Sequence, residues 1–175
     1  MYTIDFTRRQ GSADVLLVEQ TSKRHQTYIV RTDIQPYQTE EAVGATFIQI
    51  RFDYRPTMTE VRDFVISVIN KQTDDRILSG FRWIDKPVWL SEENQRNFSE
   101  AQRVAQIAPD TILPATFKLG EDSEGRAVYH EFLTADELTD FYLAIVKYIN
   151  LCLQEGWQKK DSYDFSEYER QLEGL

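Results

Sequence analysis

The chain has 175 residues, of which 41% are hydrophobic and 28% are charged, and its 20 basic and 29 acidic residues give a net charge of −9. This apolar content is sufficient for a packed core and excludes an intrinsically disordered chain. Because an acidic surface repels phosphate groups, we expect neither a nucleic-acid partner nor a membrane partner.

The cysteine content and the N-terminal pattern bear on the cellular compartment. Cys152 is the one cysteine, so it cannot form an internal disulfide, and its apolar helical surroundings predict a buried side chain. The N-terminal residues alternate apolar and polar types, unlike a signal peptide, and no stretch approaches the length of an apolar membrane span. We therefore expect a protein of the cytoplasm of the producing cell, with association with a virion as an alternative.

The first third of the sequence is typical of β-structure. Strands are predicted at four places, which are residues 2–6, 15–18, 28–32 and 45–54. In the first of them, Tyr2, Ile4 and Phe6 alternate with polar residues. Residues 35–44 are polar and include Pro36, so we predict a loop between the last two strands.

The pattern then changes to a helical period. Thr57 and Glu60 form a capping-box sequence ahead of a predicted helix over residues 58–72. Ser91 is a favourable N-cap for a second helix over residues 92–107. Two short aromatic strands are expected between these helices.

The C-terminal third is predicted to contain a hairpin and the longest helix. The hairpin covers residues 113–132. Thr134 and Glu137 form a second capping box, which opens a helix over residues 135–155 that Gly156 is expected to end. A short helix follows at the C-terminus.

These elements predict an α+β fold with an antiparallel sheet, three main helices and a short C-terminal helix. Residues 1–57 form a predicted β-rich part and residues 58–175 a mixed α/β part, with one compact domain as the alternative. We expect the apolar stripe of the longest helix, which includes Ile145, to organise the core.

Catalytic and metal-binding patterns are not evident in the sequence. The two histidines, His25 and His130, do not lie beside a nucleophile motif, and one cysteine with two distant histidines does not form a zinc site. The glycines are scattered and form no phosphate-binding loop. We therefore expect a protein that is not an enzyme and uses no cofactor and no metal, with His130 an ordinary strand residue.

An unusual concentration of aromatic and amide side chains lies between residues 81 and 98. A binding surface uses aromatics for contact area and amides for directional hydrogen bonds. The candidate partner-binding residues are Trp83, Trp89, Asn94, Gln95 and Asn97. The alternative is that both indoles pack in the core and that the amides bond to backbone groups near the helix start.

The same segment resembles a known family. Residues 77–83 and 88–98, with the sequences ILSGFRW and VWLSEENQRNF, resemble an uncharacterised domain family of tail-fibre-associated proteins from tailed phages and prophages. Residues 113–118, 129–132 and 155–157 are similar to its Bacteroides-type branch from gut bacteria. The resemblance covers residues 58–170 and brings with it no catalytic residue.

This resemblance implies a phage or prophage structural or accessory protein. The leading hypothesis is a non-enzymatic protein-interaction module for tail-fibre assembly or attachment, with a protein partner or with self-association. One alternative is a carbohydrate-binding module that stacks sugars on Trp83 and Trp89. Another is a small hydrolase, which needs two carboxylates roughly 5–10 Å apart in an aromatic-lined cleft.

Overall fold

The computed structural model describes residues 4–39 and 42–175 and has the predicted α+β fold. The elements in chain order are β1 (Arg9–Gly11), β2 (Val18–Ser22), β3 (Thr27–Gln38), β4 (Val43–Phe52), α1 (Met58–Ser79), β5 (Phe81–Trp83), β6 (Lys86–Val88), α2 (Glu92–Ile107), α3 (Pro109–Ile112), β7 (Ala115–Glu121), β8 (Ala127–Phe132), α4 (Ala135–Asp161) and α5 (Ser166–Glu173). The strands form one four-stranded antiparallel sheet in the order β1-β4-β3-β2 and two hairpins, β5-β6 and β7-β8.

Two compact units divide the chain. The first comprises residues 1–71 and 159–175, of which the described part contains the four-stranded sheet and α5, and the second comprises residues 72–158 with both hairpins, α2 and α3. α1 and α4 each have residues in both units. The predicted β-rich part, residues 1–57, therefore shares its unit with segments of the predicted mixed part.

The core of the first unit lies between its sheet and its helical segments. Its buried residues are Val18, Tyr28, Val30, Ile48, Ile50, Phe52, Val61, Phe64, Val65, Val68, Ile69, Tyr168 and Leu172. The strand residues among them recur with period two and those of α1 with the helical period, because each element buries one face.

Three predictions for the N-terminal third were wrong. The strand predicted at residues 15–18 begins only at Val18, as β2. Tyr2 lies outside the described residues, but Ile4 and Phe6 belong to no strand and simply pack against the core. The predicted loop at 35–44 is mostly strand, because β3 continues to Gln38 and Pro36 pairs with Ala45. Among the described residues, β2 pairs with β3 between Thr27 and Val30, so Pro36 lies beyond that pairing, where the strand needs no ladder donor on that side.

α1 begins as predicted and ends later. The Glu60 amide donates to Thr57 Oγ1 at 3.3 Å, and the Thr57 amide donates to Glu60 Oε2 at 2.8 Å, which completes the capping box. The predicted end near Gln72 is wrong, because the helix extends to Ser79. The acidic pair at residues 74 and 75 is exposed on the helix surface and does not interrupt it.

The core of the second unit surrounds Phe141. It comprises Phe81, Val88, Leu90, Phe98, Ala101, Ala105, Leu119, Phe132, Leu138, Phe141 and Ile145. The rings of Phe98 and Phe132 lie 5.0 and 4.9 Å from that of Phe141. The turn of the first hairpin places Ile84 and Asp85 at positive φ, 45° and 60°.

The helices of the second unit test three sequence predictions. α2 has the predicted bounds, and its N-cap Ser91 accepts a hydrogen bond from the Asn94 amide. The predicted end of α4 at Gly156 is wrong, because the helix continues to Asp161. Gly156 is buried, and a Cβ atom on it would lie 2.6 Å from Oγ1 of Thr73, so the glycine allows a close approach to α1 instead of ending α4.

Candidate functional site

A cleft of about 560 Å³ opens on the surface of the second unit. Three segments line it, which are the end of α1, the chain from β6 into α2, and β7. The lining residues are Ser79, Pro87, Val88, Trp89, Asn94, Lys118, Leu119, Gly120 and Glu121. The cleft therefore lies where the β5-β6 hairpin, the start of α2 and β7 meet. It includes part of the aromatic and amide segment between residues 81 and 98.

Trp89 is the large aromatic side chain of this cleft, and it is 47% exposed. Its neighbours Val88 and Leu90 are each only 1% exposed, so the chain alternates here and directs the indole away from the core. The Trp89 amide donates to the Leu119 carbonyl at 2.7 Å, which joins the β5-β6 hairpin to β7. The backbone that carries the indole is thus held by its two buried neighbours and by the hydrogen bond to β7.

The side-chain amides of α2 hold the segment that carries Trp89. Asn94 Nδ2 donates to the Trp89 carbonyl at 2.8 Å, and Gln95 Nε2 donates to the Leu90 carbonyl at 2.7 Å. This is the role that the packing interpretation predicts for these amides. Asn94 also lines the cleft, whereas Gln95 is not among the described lining residues.

The remaining two candidates lie elsewhere in the second unit. The Trp83 ring packs edge-on against Phe141 at 5.4 Å and belongs to the periphery of the core. Its Nε1 is buried and has no hydrogen-bond partner among the described residues. Asn97 is exposed on α2, outside the described lining of the cleft. Trp83 and Trp89 therefore do not form one exposed platform.

Gly120 determines how closely β7 approaches the hairpin. A Cβ atom at this position would lie 2.9 Å from the Pro87 carbonyl oxygen and 3.4 Å from the Trp89 amide nitrogen. Both of these are backbone atoms, so they cannot move aside as a flexible side chain could. The absent side chain lets two backbones meet at the floor of the cleft.

The charges of the cleft are paired. Lys118 Nζ lies 2.8 Å from Glu121 Oε1, and this hydrogen bond raises the pKa of the Lys118 ammonium. Both side chains are largely exposed, so the pair contributes little to stability. The cleft consequently presents an aromatic ring, an amide and a neutralised ion pair, although the whole chain carries a charge of −9.

Tyr129 extends this surface, and the sequence reasoning missed it. It is the cross-strand partner of Lys118 and is 57% exposed. Directly opposed residues of antiparallel strands lie on the same face, so the phenol stands next to the cleft. The sequence alone carries no clear signal for this exposure, because only the structure distinguishes exposed Tyr129 from the more buried Val128 and His130. We call Trp89, Asn94, Lys118, Gly120, Glu121 and Tyr129 the cleft face.

A second polar cluster surrounds His130, which the sequence predicted to be an ordinary strand residue. His130 Nε2 lies 2.9 Å from Glu137 Oε1, and Nδ1 lies 3.1 Å from Lys86 Nζ. The Lys86 ammonium also donates to the Tyr129 carbonyl at 2.9 Å. The His130 side chain is 13% exposed and its ring lies 4.5 Å from that of Phe132.

The carboxylate of Glu137 has two donors. Its hydrogen bonds from His130 and from the Leu133 amide hold the pKa of the Glu137 carboxyl below its ordinary value. Only half of the second predicted capping box forms, because the Glu137 amide donates to Thr134 Oγ1 while the carboxylate turns to His130. The order amine, imidazole, carboxylate resembles a nucleophile with its base, but the Lys86 Nζ atom is already engaged by the His130 ring and by the Tyr129 carbonyl.

The described residues contain neither a metal-ligand cluster nor a membrane-spanning helix. Within residues 4–39 and 42–175, no three histidine, cysteine, aspartate or glutamate side chains cluster as a metal site would require. None of the helices in the described part of the chain has the length and apolar content needed to cross a membrane.

The fold and the site define a small α+β protein with an aromatic-rimmed cleft on its second unit. The chain belongs to the DUF4376 family, a domain of unknown function, whose family model matches residues 60–169. That match includes every residue of the cleft face and of the His130 cluster. No curated protein and no solved structure gives a significant match to the chain.

Proposed function

We propose that the chain is a non-enzymatic structural or accessory protein of a phage or prophage, which binds a protein partner through the cleft face during tail-fibre assembly or attachment. The observation that carries the proposal is the exposed indole of Trp89 on a rigid backbone beside the cleft. The phage context comes from the resemblance of residues 77–83 and 88–98 to tail-fibre-associated proteins of phages and prophages. Residues 113–118, 129–132 and 155–157 are similar to the Bacteroides-type branch of that family.

The composition of the cleft face supports a protein partner. Tryptophan and tyrosine are the residues that most often dominate binding energy at protein interfaces, and Trp89 and Tyr129 are both about half exposed. A ring held on a fixed backbone loses little conformational entropy when a partner covers it. The Lys118–Glu121 pair leaves the face locally neutral, which favours an uncharged partner segment.

The same lining supports a binding function over a carboxylate-dependent hydrolase. Glu121 is the one carboxylate among the described residues that line the cleft. Glycoside hydrolysis of the usual kind needs two carboxylates that face each other across the substrate. Glu121 is moreover engaged by Lys118, so a general acid is not apparent there.

The test begins with the products of the genes that neighbour this one. Each is co-expressed with the tagged full chain, and the dissociation constant of any complex is measured by calorimetry. We expect a tail protein to bind and Trp89→Ala to weaken the complex at least about 30-fold, which corresponds to a hot-spot loss of about 2 kcal/mol. Tyr129→Ala should weaken it as well.

Trp157 provides a matched control. It is 54% exposed in the second unit but is not among the described residues of the cleft lining. Trp157→Ala should therefore leave affinity within about twofold of the unaltered chain, since peripheral contacts contribute little. Equal losses for the two tryptophans, or no binding to any tail protein or to the chain itself, would reject the proposal.

A neutral oligosaccharide is the second candidate ligand. Exposed Trp89 and Tyr129 can stack on sugar rings, and Asn94 and the Lys118–Glu121 pair can bond to hydroxyls. Since Trp83 packs against the core, this hypothesis now depends on Trp89 and not on a pair of indoles. The test is quenching of tryptophan fluorescence by a panel of neutral oligosaccharides. Quenching that is lost in Trp89→Phe and kept in Trp157→Phe would favour an oligosaccharide ligand over a protein partner.

A further inference from the structure

The His130 ring is held at both nitrogens by groups from two other elements. Glu137 of α4 faces Nε2 at 2.9 Å, and Lys86 of β6 faces Nδ1 at 3.1 Å. From β7 the cross-strand partner is the apolar Phe117, and the neighbouring Phe132 of β8 packs edge-on against the ring. Lys86 and Glu137 are thus the charged groups that contact His130.

The chemistry of these partners assigns the protons of the ring. A carboxylate can only accept hydrogen bonds, so Nε2 carries the hydrogen that bonds to Glu137. An ammonium can only donate, so Nδ1 must offer its lone pair to Lys86. The contacts therefore require a neutral His130 in one tautomer, and Lys86 then connects β6 to β8 through the ring and through the Tyr129 carbonyl.

We propose that Lys86, His130 and Glu137 form a pH-responsive clasp, in which protonation of His130 releases the Lys86 ammonium from the ring and loosens β6 from β8. A proton on Nδ1 removes the lone pair that accepts from Lys86. It also places a positive ring about 3 Å from a positive ammonium, which repels it. The bond to Glu137 becomes an ion pair and keeps the imidazolium in place.

The clasp does not depend on the proposed partner of the cleft face. It is a property of the second unit alone, and its failure would leave the binding proposal untouched. Acidification that protonates the His130 ring should free the Lys86 side chain, because the ring then offers it no acceptor.

Nuclear magnetic resonance of the full chain tests the clasp without any substitution. Ring nitrogens of histidine and the side-chain ammonium of Lys86 are followed from about pH 8 to about pH 5, the range in which histidine titrates. We expect Nε2 protonated and Nδ1 unprotonated at the upper end. As His130 takes up a proton, the Lys86 ammonium and the backbone amides of β6 should shift with the same midpoint.

His25 is an internal reference, because it is the other histidine of the chain and is exposed in a turn. Its titration should leave the Lys86 signals unchanged. In Lys86→Met the β6 amides should no longer follow His130, and the His130 midpoint should move to higher pH because a nearby cation is gone. In Glu137→Gln the midpoint should move to lower pH, since a nearby anion is lost.

Three results would overturn the clasp. One is an Nδ1 that carries the proton at the upper end of the range. The second is a Lys86 ammonium whose signals do not change while His130 titrates. The third is a His130 ring that remains neutral until the whole protein unfolds.

Discussion

Gly156 of α4 lies against Thr73 of α1 so closely that a Cβ atom on the glycine would be 2.6 Å from the threonine Oγ1 and 3.2 Å from its methyl carbon. Both residues belong to the second unit. Threonine is branched at Cβ and has few rotamers, so it has little freedom to withdraw. The contact therefore depends on the absence of a side chain at position 156.

Gly156→Ala is expected to lower the free energy of unfolding by about 1–2 kcal/mol. Overpacking a close contact costs about 1–3 kcal/mol, and the gain of about 1 kcal/mol from alanine in a helix offsets only part of this. Urea denaturation checks the value. Thr73→Ala combined with Gly156→Ala should recover most of the loss, because the clashing atoms are then gone.

Gly174→Ala is the control for this pair. The nearest atom to a Cβ atom there is 3.6 Å away, which is an ordinary contact distance. We expect its unfolding free energy to change by less than about 0.5 kcal/mol. A Gly156→Ala variant as stable as the unaltered chain would contradict the close approach of α4 to α1.

Ile145→Asp should unfold the second unit. Ile145 is 2% exposed within the core around Phe141, so the new carboxylate would be buried without a partner. We expect a loss of more than about 4 kcal/mol, seen as loss of the near-ultraviolet circular dichroism signal. Leu151→Asp on the same helix is the control, because Leu151 is 48% exposed and should tolerate the change.

The capping box of α1 should give a pH-dependent contribution to stability. Hydrogen bonds from the Tyr54 hydroxyl and the Thr57 amide lower the pKa of the Glu60 carboxyl below 4.5. A carboxyl whose pKa is lowered by folding stabilises the fold above its unfolded value, and this stability is lost as the pH falls through the folded pKa. Glu60→Gln should therefore destabilise by about 0.5–1 kcal/mol at about pH 7 and by less at about pH 3.

The measurement for Glu60 is the difference in unfolding free energy from the unaltered chain at the two pH values. Asp63→Asn, an exposed carboxylate one turn further along α1, is the matched control. A Glu60→Gln difference that stays constant, or grows as the pH falls, would disprove a capping role for the ionised carboxylate.

Trp83 and Trp89 should separate cleanly in their effects on stability. Trp83→Ala removes a ring that packs on Phe141 and should lower the free energy of unfolding by about 2–4 kcal/mol. Trp83→Phe should lower it by less, because this variant keeps an aromatic ring and removes an indole N–H that has no described partner. Trp89→Ala should cost less than about 1 kcal/mol, since its ring is half exposed. Thermal unfolding of the three variants checks this, and a Trp89 variant as damaged as Trp83→Ala would show that the two roles are wrongly assigned.

Local signals in the sequence predicted most elements of the fold. Ser91 and the Thr57–Glu60 pair mark helix starts through contacts three residues apart, so their outcome depends on little beyond the neighbouring chain. The sequence interpretation took Gly156 for the end of a helix and Pro36 for part of a loop, and both were wrong. A glycine is tolerated inside a helix where a neighbouring helix packs closely against it. A proline is tolerated inside a strand where its nitrogen faces an edge that needs no ladder donor. Such reasons come from residues distant in the sequence.

The candidate site was partly readable. The aromatic and amide residues between positions 81 and 98 indicate the segment that carries Trp89, whereas the exposure of Trp89 and of Tyr129 follows only from the structure. The environment of His130 was not readable, because Lys86 lies 44 residues away and reaches it only through the pairing of separate hairpins. Nor does local sequence reveal that Glu137 turns from its own helix start towards the imidazole.

The turn of the β5-β6 hairpin also indicates how this protein could be made more robust. Ile84 is branched at Cβ, yet it adopts a left-handed backbone conformation with φ of 45° and is 64% exposed. Such a residue resists that conformation, whereas asparagine and glycine accept it readily. An Asn-Gly sequence at positions 84 and 85 would remove this backbone strain from the turn. Two substitutions should therefore give a variant with a higher free energy of unfolding.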